Sequence, residues 1–287
     1  MGIGSVFGEK LGGGYMKISV CYNHILLASE QSGLPLSEVL KRIKNMGIEF
    51  IGCSYEELAL YTQQMKLLLR VAGLGISFIY QHFDFGYKDK GEEGYKLIDL
   101  AEKMGAKYVL VIPGLLKKSS SVKKEEAIEH MVQALKLMCN YAKKKNIIVT
   151  LEDYDNANAP YSTTEEILWF MQQVPDLKHT FDTGNYIYRG EDEVEALQLL
   201  KDYVVQVHVK DRTTSMQREE VPKLTADGTP LFAAPVGAGI IKMKEIIEVL
   251  KDMKYDGVLN IEHFDAKNQM GYIKQSAKWL VNNVPIN

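Results

Sequence analysis

The sequence is poor in cysteine. Its 287 residues include three cysteines, Cys21, Cys53 and Cys139, which are far apart and odd in number. Small secreted domains that depend on disulfides carry even numbers of closely spaced cysteines, and this chain does not match that class. We therefore predict three reduced thiols and a cytoplasmic protein.

The sequence also lacks a long hydrophobic run. A helix that crosses a bilayer needs about 20 apolar residues in succession, and the longest candidate, residues 109–116, is interrupted by Pro113 and Gly114. The N-terminal stretch contains glycines and charges but no apolar segment of signal-peptide length. We predict no membrane association. We expect residues 1–15 to be a disordered or loosely attached leader before a single domain over residues 16–287.

Neither sign of charge dominates the chain. Lysine and arginine total 34, aspartate and glutamate total 37, and the formal net charge is -3. There is no basic excess to neutralise nucleic-acid phosphates and no acidic tail for a basic partner. Apolar residues make up 46% and charged residues 25%, which is typical of a globular protein. We therefore predict a globular protein that does not bind nucleic acid.

Short β-branched segments alternate with helical patterns along the whole chain. The short segments are continuously apolar, which is typical of strands buried on both faces in a parallel sheet. The predicted strands cover residues 18–21, 48–52, 76–80, 108–112, 147–151, 179–181, 204–207 and 258–261. The predicted helices cover residues 37–46, 94–104, 125–144, 164–174, 193–200 and 242–253, and Thr163 or Thr164 is the predicted cap of the fourth.

Strand and helix repeat about every 34 residues, which is the spacing of a βα unit. Eight units predict an α/β protein that folds as a single-domain (β/α)8 TIM barrel. The structural alternative is an open doubly wound sheet, but that fold usually has fewer units, and the first strand is not followed by a glycine-rich phosphate loop. Residues 213–239 are predicted to be a long irregular loop, and we expect them to form a lid or a wall of the active site.

Polar side chains lie at the ends of the last four predicted strands. These residues are Glu152, Asp182, His208 and Glu262. The C-terminal ends of barrel strands meet at one rim, where TIM-barrel active sites lie. Any one of these residues has an ordinary structural explanation, as a turn residue, a helix cap or a core histidine. Together, three converging carboxylates would repel each other unless a cation binds between them.

This set of ligands predicts one divalent metal ion. Three carboxylates and one imidazole form an oxygen-rich site, so Mn²⁺ or Mg²⁺ is favoured, with Co²⁺ or Zn²⁺ as alternatives. A cation bound there would polarise a carbonyl group of a ligand and stabilise an enediolate. Glu152 and Glu262 are the predicted catalytic bases, because each can offer one oxygen to the metal and the other to the substrate.

The motifs around these residues resemble those of the xylose isomerase-like barrel superfamily, also called the sugar phosphate isomerase/epimerase family. The similar stretches are FDTGN around Asp182, VHVKD around His208, NIEHF around Glu262 and the glycine-containing VGAGI at residues 236–240. The resemblance extends from about Lys17 onward. It implies a metal-dependent isomerase or epimerase acting on a sugar or a sugar phosphate. It also implies a small carbohydrate substrate and a homodimer or homotetramer.

The same superfamily leaves alternatives open. An inosose-type dehydratase, which is a lyase, would form the same enediolate and then expel a β-hydroxyl group. A DNA repair nuclease similar to endonuclease IV would need more than the six histidines present. A sugar-binding barrel without catalysis would be expected to have lost some of the metal-binding residues, and all four are present.

Three further residues are predicted to bind substrate: His82, Asn185 and Lys210. His82 follows the third strand, and Lys210 lies two residues after His208, on the same side of the strand. Each also has a structural explanation, His82 as a loop histidine, Asn185 as a helix cap or turn residue, and Lys210 as a solvated lysine. Asn185 stands where many members of the superfamily have histidine. An amide does not titrate near neutral pH, so this difference leaves the substrate open.

Overall fold

The computed structural model describes residues 15–216 and 219–285. Eight parallel strands form a closed barrel at its centre, in which the last strand pairs with both the first and the seventh. The barrel strands are β1 (Lys17–Cys21), β2 (Ile48–Ser54), β3 (Gly75–His82), β4 (Tyr108–Ile112), β5 (Ile148–Glu152), β6 (Lys178–Asp182), β7 (Val204–Thr213) and β10 (Val258–Glu262). The predicted (β/α)8 TIM barrel is confirmed. The predicted leader, except for Tyr15, lies outside the described residues.

Helices cover the outside of the barrel. In the described ranges they are α1 (Tyr22–Ser32), α2 (Leu36–Asn45), α3 (Tyr55–Ala59), α4 (Thr62–Ala72), α5 (Tyr95–Met104), α6 (Lys124–Lys143), α7 (Thr164–Gln173), α8 (Glu193–Leu200), α9 (Met243–Asp252) and α10 (Gln269–Asn283). None of the described helices has the length and hydrophobicity that a bilayer crossing requires.

Four of these helices, α1, α3, α4 and α10, have no predicted range, although the pair Ala72-Gly73 predicts a helix end that is the end of α4. α1 and α4 begin without a side-chain cap and without an acid in the first turn, so they lack the usual marks of a helix start. α10 does carry a mark, because Asn268 Oδ1 accepts a hydrogen bond from Gly271 N at 3.0 Å. By contrast, the predicted cap of α7 is present: Thr163 and Glu166 form a reciprocal capping box.

The stretch predicted to be irregular contains a β-hairpin. Its two strands are β8 (Lys223–Leu224) and β9 (Pro230–Ala234). β7 is longer than predicted and continues to Thr213, and β9 pairs antiparallel with this extension, placing Ala233 opposite Arg212. The prediction failed here because the hairpin depends on pairing with a distant strand. Pro230 is tolerated because it is the first residue of its strand.

Successive side chains of β7 point in opposite directions, toward the hydrophobic core or toward the inside of the barrel. Val207 and Val209 are fully buried in the main hydrophobic core. The residues between them have the opposite orientation, and His208 and Lys210 line a cavity at the top of the barrel. This alternation brings polar side chains from a buried strand to one site.

The two ends of the described chain meet beside the start of β1. Met16 N donates a hydrogen bond to Pro285 O at 3.0 Å. Because β1 runs from this point toward Cys21, which lines the cavity, the contact lies at the end of the barrel opposite to the cavity.

Candidate metal centre and substrate cavity

The structure brings the four predicted metal-binding residues together. Glu152, Asp182, His208 and Glu262 each offer a ligand atom, and these atoms all lie within 4.8 Å of one another. All four residues are buried. Strand register produces this arrangement, because Asp182 is directly opposite His208 in the β6–β7 pair. A buried cluster able to hold a divalent metal ion is therefore present, while the role of each residue in binding stays a prediction.

The polar atoms of this cluster fit a cation. His208 Nδ1 lies 2.5 Å from Glu152 Oε1 and 3.1 Å from Glu262 Oε2. Despite this proximity, His208 Nδ1, Glu152 Oε1 and Asp182 Oδ2 have no hydrogen-bond partner of acceptable geometry. Buried polar atoms without partners are costly, and coordination by a divalent cation would satisfy all three.

The cluster has strongly shifted proton affinities. Burial alone would lower the pKa of His208, but the carboxylates of Glu152 and Glu262 outweigh it and raise the pKa to about 10. Burial raises the pKa of Asp182 to about 7, although the ammonium of Lys210 opposes this shift. Without a cation, the cluster therefore holds a proton on His208, which a metal ion must displace.

Lys210 bridges the cluster and the predicted substrate-binding residue Asn185. Its Nζ lies 2.6 Å from Glu262 Oε1 and 2.8 Å from Asp182 Oδ2, and it donates to Asn185 Oδ1 at 3.0 Å. Burial would lower the pKa of Lys210, but the surrounding carboxylates outweigh it and hold the pKa well above its usual value. Lys210 is therefore a charged donor rather than a base.

Glu262 is affected by the same contacts. Burial would raise its pKa, but Lys210 and His208 outweigh burial and hold the pKa well below its usual range. A carboxylate held in this way is a weak proton acceptor. The two glutamates thus differ, since only Glu262 is paired with the ammonium group of Lys210.

The motif FDTGN is shaped by its contact with β7. Thr183 Oγ1 donates to Lys210 O at 2.8 Å and accepts from Lys210 N at 2.9 Å. A Cβ atom on Gly184 would lie 2.6 Å from Lys210 O, so only glycine fits this close approach. Gly184 N also donates to Asp182 Oδ1 at 2.8 Å, which orients the carboxylate.

Gln206 contacts the far side of the His208 ring. Its Nε2 lies 3.3 Å from His208 Nε2, while its buried Oε1 has no hydrogen-bond partner. A cation on His208 Nδ1 requires the ring proton to be on Nε2. Rotation of the Gln206 amide would then let Oε1 accept that proton and hold the ring in place.

A cavity of about 380 Å³ opens above the cluster. Its walls include the predicted substrate-binding residues His82, Asn185 and Lys210. This volume suits a small ligand, and a few polar groups surrounded by aromatic and apolar walls are typical of such sites. The assignment of these three residues to substrate binding stays a prediction.

Several cavity residues are absent from the sequence prediction: Tyr80, Tyr154, Asp155, Arg212, Lys223 and Phe264. Arg212 was detectable, because it lies two residues beyond Lys210 and so has the same orientation on the extended β7. Asp155 lies in a loop and Lys223 lies on the hairpin. No periodic pattern in the sequence predicts their position.

Two features near the rim are structural. His24 and His263 stack with their ring centres 5.1 Å apart, and His24 Nε2 accepts from His263 N at 3.0 Å. Asp211 accepts backbone N–H groups from Gly237 at 2.8 Å and from Gly239 at 3.0 Å. The glycines of VGAGI thus surround a carboxylate of the chain itself.

Part of the chain is similar in sequence to curated proteins that are named inosose dehydratase. An inosose dehydratase from Clostridium perfringens is 28% identical over 180 residues, which is 57% of this chain and 60% of the relative. The chain therefore spans about 60% of the length of this relative. Matching relatives from Geobacillus, Bacillus and other genera carry the same name.

Solved structures share the fold over nearly the whole chain. A probable 3-DHS dehydratase from Bacillus anthracis has a TM-score of 0.70 at 18% identity, with 93% of this chain and 99% of that chain covered. A D-allulose 3-epimerase from a Methylomonas species, in complex with D-allulose, has a TM-score of 0.72 at 15% identity, with 94% and 98% covered.

The prediction of an isomerase or epimerase is wrong. The relatives that match in sequence are named for a dehydratase, which is a lyase, and a dehydratase is also among the similar structures. The physical reason is that both reactions begin with loss of a proton beside a carbonyl group. The same metal and carboxylate residues serve that first step, so their motifs do not distinguish the outcomes.

A family model matches more of the chain than the sequence match to the Clostridium perfringens relative does. The model of the xylose isomerase-like TIM barrel matches residues 37–283, from the second helix of the barrel to the last. The matched region contains all four residues of the metal cluster and the whole of β7. The chain belongs to the xylose isomerase-like TIM barrel family.

Proposed function

We propose that this protein is a metal-dependent dehydratase that removes water from a cyclic polyhydroxy ketone. The named relatives support a dehydratase. The observation that carries the proposal is the pairing of Lys210 with Glu262, at 2.6 Å. Epimerisation by two bases needs two glutamates that are free to accept protons, whereas elimination needs one base and one acid.

In the proposed reaction, Glu152 is the base. Its carboxylate accepts the proton from the carbon next to the ketone, and the C–H electron pair forms the new double bond. A divalent cation, when bound, supplies positive charge that polarises the ketone. Lys210 Nζ gives a proton to the β-hydroxyl group as the C–O bond breaks, because the departing hydroxide is a much stronger base than an amine, and water is released. Proton transfer from Glu152 back to Lys210 restores the starting state.

The remaining cluster residues hold this arrangement. We assign Glu152, Asp182, His208 and Glu262 as metal ligands, and Mn²⁺ or Mg²⁺ as the preferred ions because three of the four side chains are carboxylates. Asn185 positions Lys210, since its Oδ1 accepts from Nζ while its Nδ2 donates to Asp153 O at 2.7 Å. The homodimer or homotetramer and the cytoplasmic location stay predictions.

The test is to follow water loss directly. Purified protein, stripped with chelator and reloaded with Mn²⁺, is incubated with inosose and with 3-dehydroshikimate, and proton NMR follows the products. We expect an unsaturated product from at least one ketone, and no turnover by the stripped protein. A product that is an isomer or epimer, with no loss of water, would contradict the proposal.

Glu152→Gln tests the assignment of the base. The amide accepts no proton, so we expect turnover to fall by about a thousandfold or more, within the usual range for loss of an acid–base group or a metal ligand. Metal analysis of the variant separates loss of the base from loss of the ion. Glu129→Gln, on the exposed face of α6, is the matched control and should keep full activity. Full activity of Glu152→Gln would rule out this residue as the base.

A further inference from the structure

The mouth of the cavity contains a second charged group, formed by Asp155, Arg212 and Lys223. Arg212 Nη2 lies 3.6 Å from Asp155 Oδ2, and Lys223 forms an ion pair with Asp155 Oδ1. Both cations also lie over the ring of Tyr188, with the Arg212 Cζ atom 5.5 Å and the Lys223 Nζ atom 5.4 Å from its centre. These residues come from three separate segments of the chain and meet only in the folded barrel.

One carboxylate faces two cations in this group. Arg212 is 4% exposed, and its Nε has no hydrogen-bond partner. Burying a guanidinium group with an unused donor is costly unless a ligand completes its hydrogen bonds. Asp155 therefore pairs with only some of the N–H groups that Arg212 and Lys223 can donate.

The inner part of the cavity does not supply the missing negative charge. A divalent cation, when bound, would together with the ammonium of Lys210 balance the three carboxylates there. Asp265 also lines the mouth, but it is exposed, so solvent screens its charge. Arg212 and Lys223 thus exceed Asp155 by one positive charge. The charge of Arg212 is buried, whereas the Lys223 side chain is 42% exposed and solvent screens part of its charge.

Distance separates this excess charge from the reacting end. Arg212 lies four residues beyond His208 on β7, which corresponds to about 13 Å between Cα atoms at the usual rise of a strand. A ligand whose ketone is next to the metal cluster can thus extend a second group toward Arg212. A guanidinium group binds a carboxylate through two parallel hydrogen bonds.

We propose that the substrate is a ring polyol ketone that carries one carboxylate, bound by Arg212 and Lys223, rather than a neutral inosose. This inference rests on the proposed dehydratase function and specifies its substrate class. The incoming carboxylate pairs with donors that Asp155 leaves unused, among them Arg212 Nε. A doubly charged phosphate ester would leave one negative charge without a partner.

The test compares two ligands that share one ring and differ at a single group, which is charged in one and neutral in the other. Shikimate carries a ring carboxylate, and its methyl ester is neutral. Calorimetric titration of the Mn²⁺-loaded protein should give a dissociation constant for shikimate about 10- to 100-fold lower than for the ester, as expected for charged hydrogen bonds. Equal affinities for the two ligands, or no binding of either, would overturn the inference.

Variants of the three residues should act in opposite directions. Arg212→Gln and Lys223→Gln should each weaken shikimate binding about tenfold and leave ester binding unchanged, whereas Asp155→Asn should strengthen shikimate binding. Lys143→Gln, an exposed residue of α6, is the control and should change neither. If Arg212→Gln does not fold, the binding of shikimate and of its ester to Lys223→Gln still tests the inference, because Lys223 lies on the half-exposed hairpin. Equal effects on both ligands would count against the assignment.

The NMR assay separates this inference from the proposed function. If inosose is dehydrated as efficiently as 3-dehydroshikimate, the carboxylate inference fails and the dehydratase proposal stands. If neither ketone loses water while shikimate still binds more tightly than its ester, the dehydratase proposal fails and the anion-binding site stands.

Discussion

We expect the charge of His208 to control how tightly the cluster binds a cation. Its imidazole lies between two carboxylates, which raise its pKa to about 10, so near neutral pH Nδ1 carries a proton. A metal ion binds only the neutral imidazole. The same contacts that attract a cation to the cluster therefore also attract the proton that competes with it.

Metal binding should release about one proton at pH 8. Because His208 loses its proton only above about pH 10, raising the pH from 7 to 9 should strengthen binding about tenfold per unit. Below about pH 7 the dependence should become steeper, as Asp182 is then protonated too. Titration calorimetry in buffers of different ionisation enthalpy counts the protons. Metal affinity that is independent of pH over this range would show that His208 is not a ligand.

Sequence alone locates the four residues of the metal cluster, because each lies at the end of a strand whose position periodicity predicts. It does not locate Asp155 or Lys223, because a loop and a tertiary strand pairing bring them to the cavity. It also does not distinguish dehydration from epimerisation. In the proposed reaction that difference depends on how Lys210 restrains Glu262, and this contact is not visible in the sequence.

At the level of elements, Asp211 joins the end of β7 to the segment that leads into α9. Its carboxylate accepts four backbone N–H groups, from Arg212, Gly237, Gly239 and Ile241. A Cβ atom on Gly239 would lie 2.1 Å from Asp211 Oδ1, so this contact requires glycine. The VGAGI stretch thus has a structural role, which is to hold the extended β7 against the segment that leads into α9.

Asp211→Asn should destabilise the fold by about 3 kcal/mol, since an amide group in place of one oxygen leaves buried N–H donors facing each other. Urea unfolding measures this change, with Asp176→Asn, an exposed residue, as the control. An unchanged free energy of unfolding would mean that solvent replaces these hydrogen bonds without loss.

For the whole molecule, buried neutral histidines limit stability in acid. His179 is fully buried, with Nδ1 2.9 Å from Leu151 O and Nε2 3.0 Å from Tyr186 Oη. Burial lowers its pKa to about 4. Between about pH 6.5 and 4 the unfolded chain therefore binds a proton that the folded protein does not.

His179→Gln should flatten the pH dependence of stability. The wild-type protein should lose about 3 kcal/mol through His179 as the pH falls from 6.5 to 4, because a difference of one pKa unit corresponds to about 1.4 kcal/mol. The variant has no imidazole to protonate and should lose less over the same range. Urea unfolding of both proteins from pH 4.5 to 7 measures the two slopes. Parallel slopes would show that His179 titrates alike in both states.

The barrel itself was predictable because eight strands and their helices repeat at regular spacing. The missed helices lie mainly where two helices follow one strand or where a helix begins without a cap, so spacing and capping rules did not apply. Closure of the barrel does not produce a sequence pattern of its own. It follows from the number of repeats and from the geometry of parallel strands.

The contact between Met16 and Pro285 has a practical consequence for handling the protein. Both ends of the described chain lie at the base of the barrel, opposite to the cavity. A tether attached at either end would therefore orient the molecule with its opening away from the support. The same barrel is thus suited to immobilisation on a resin or an electrode, with small molecules free to reach the open face.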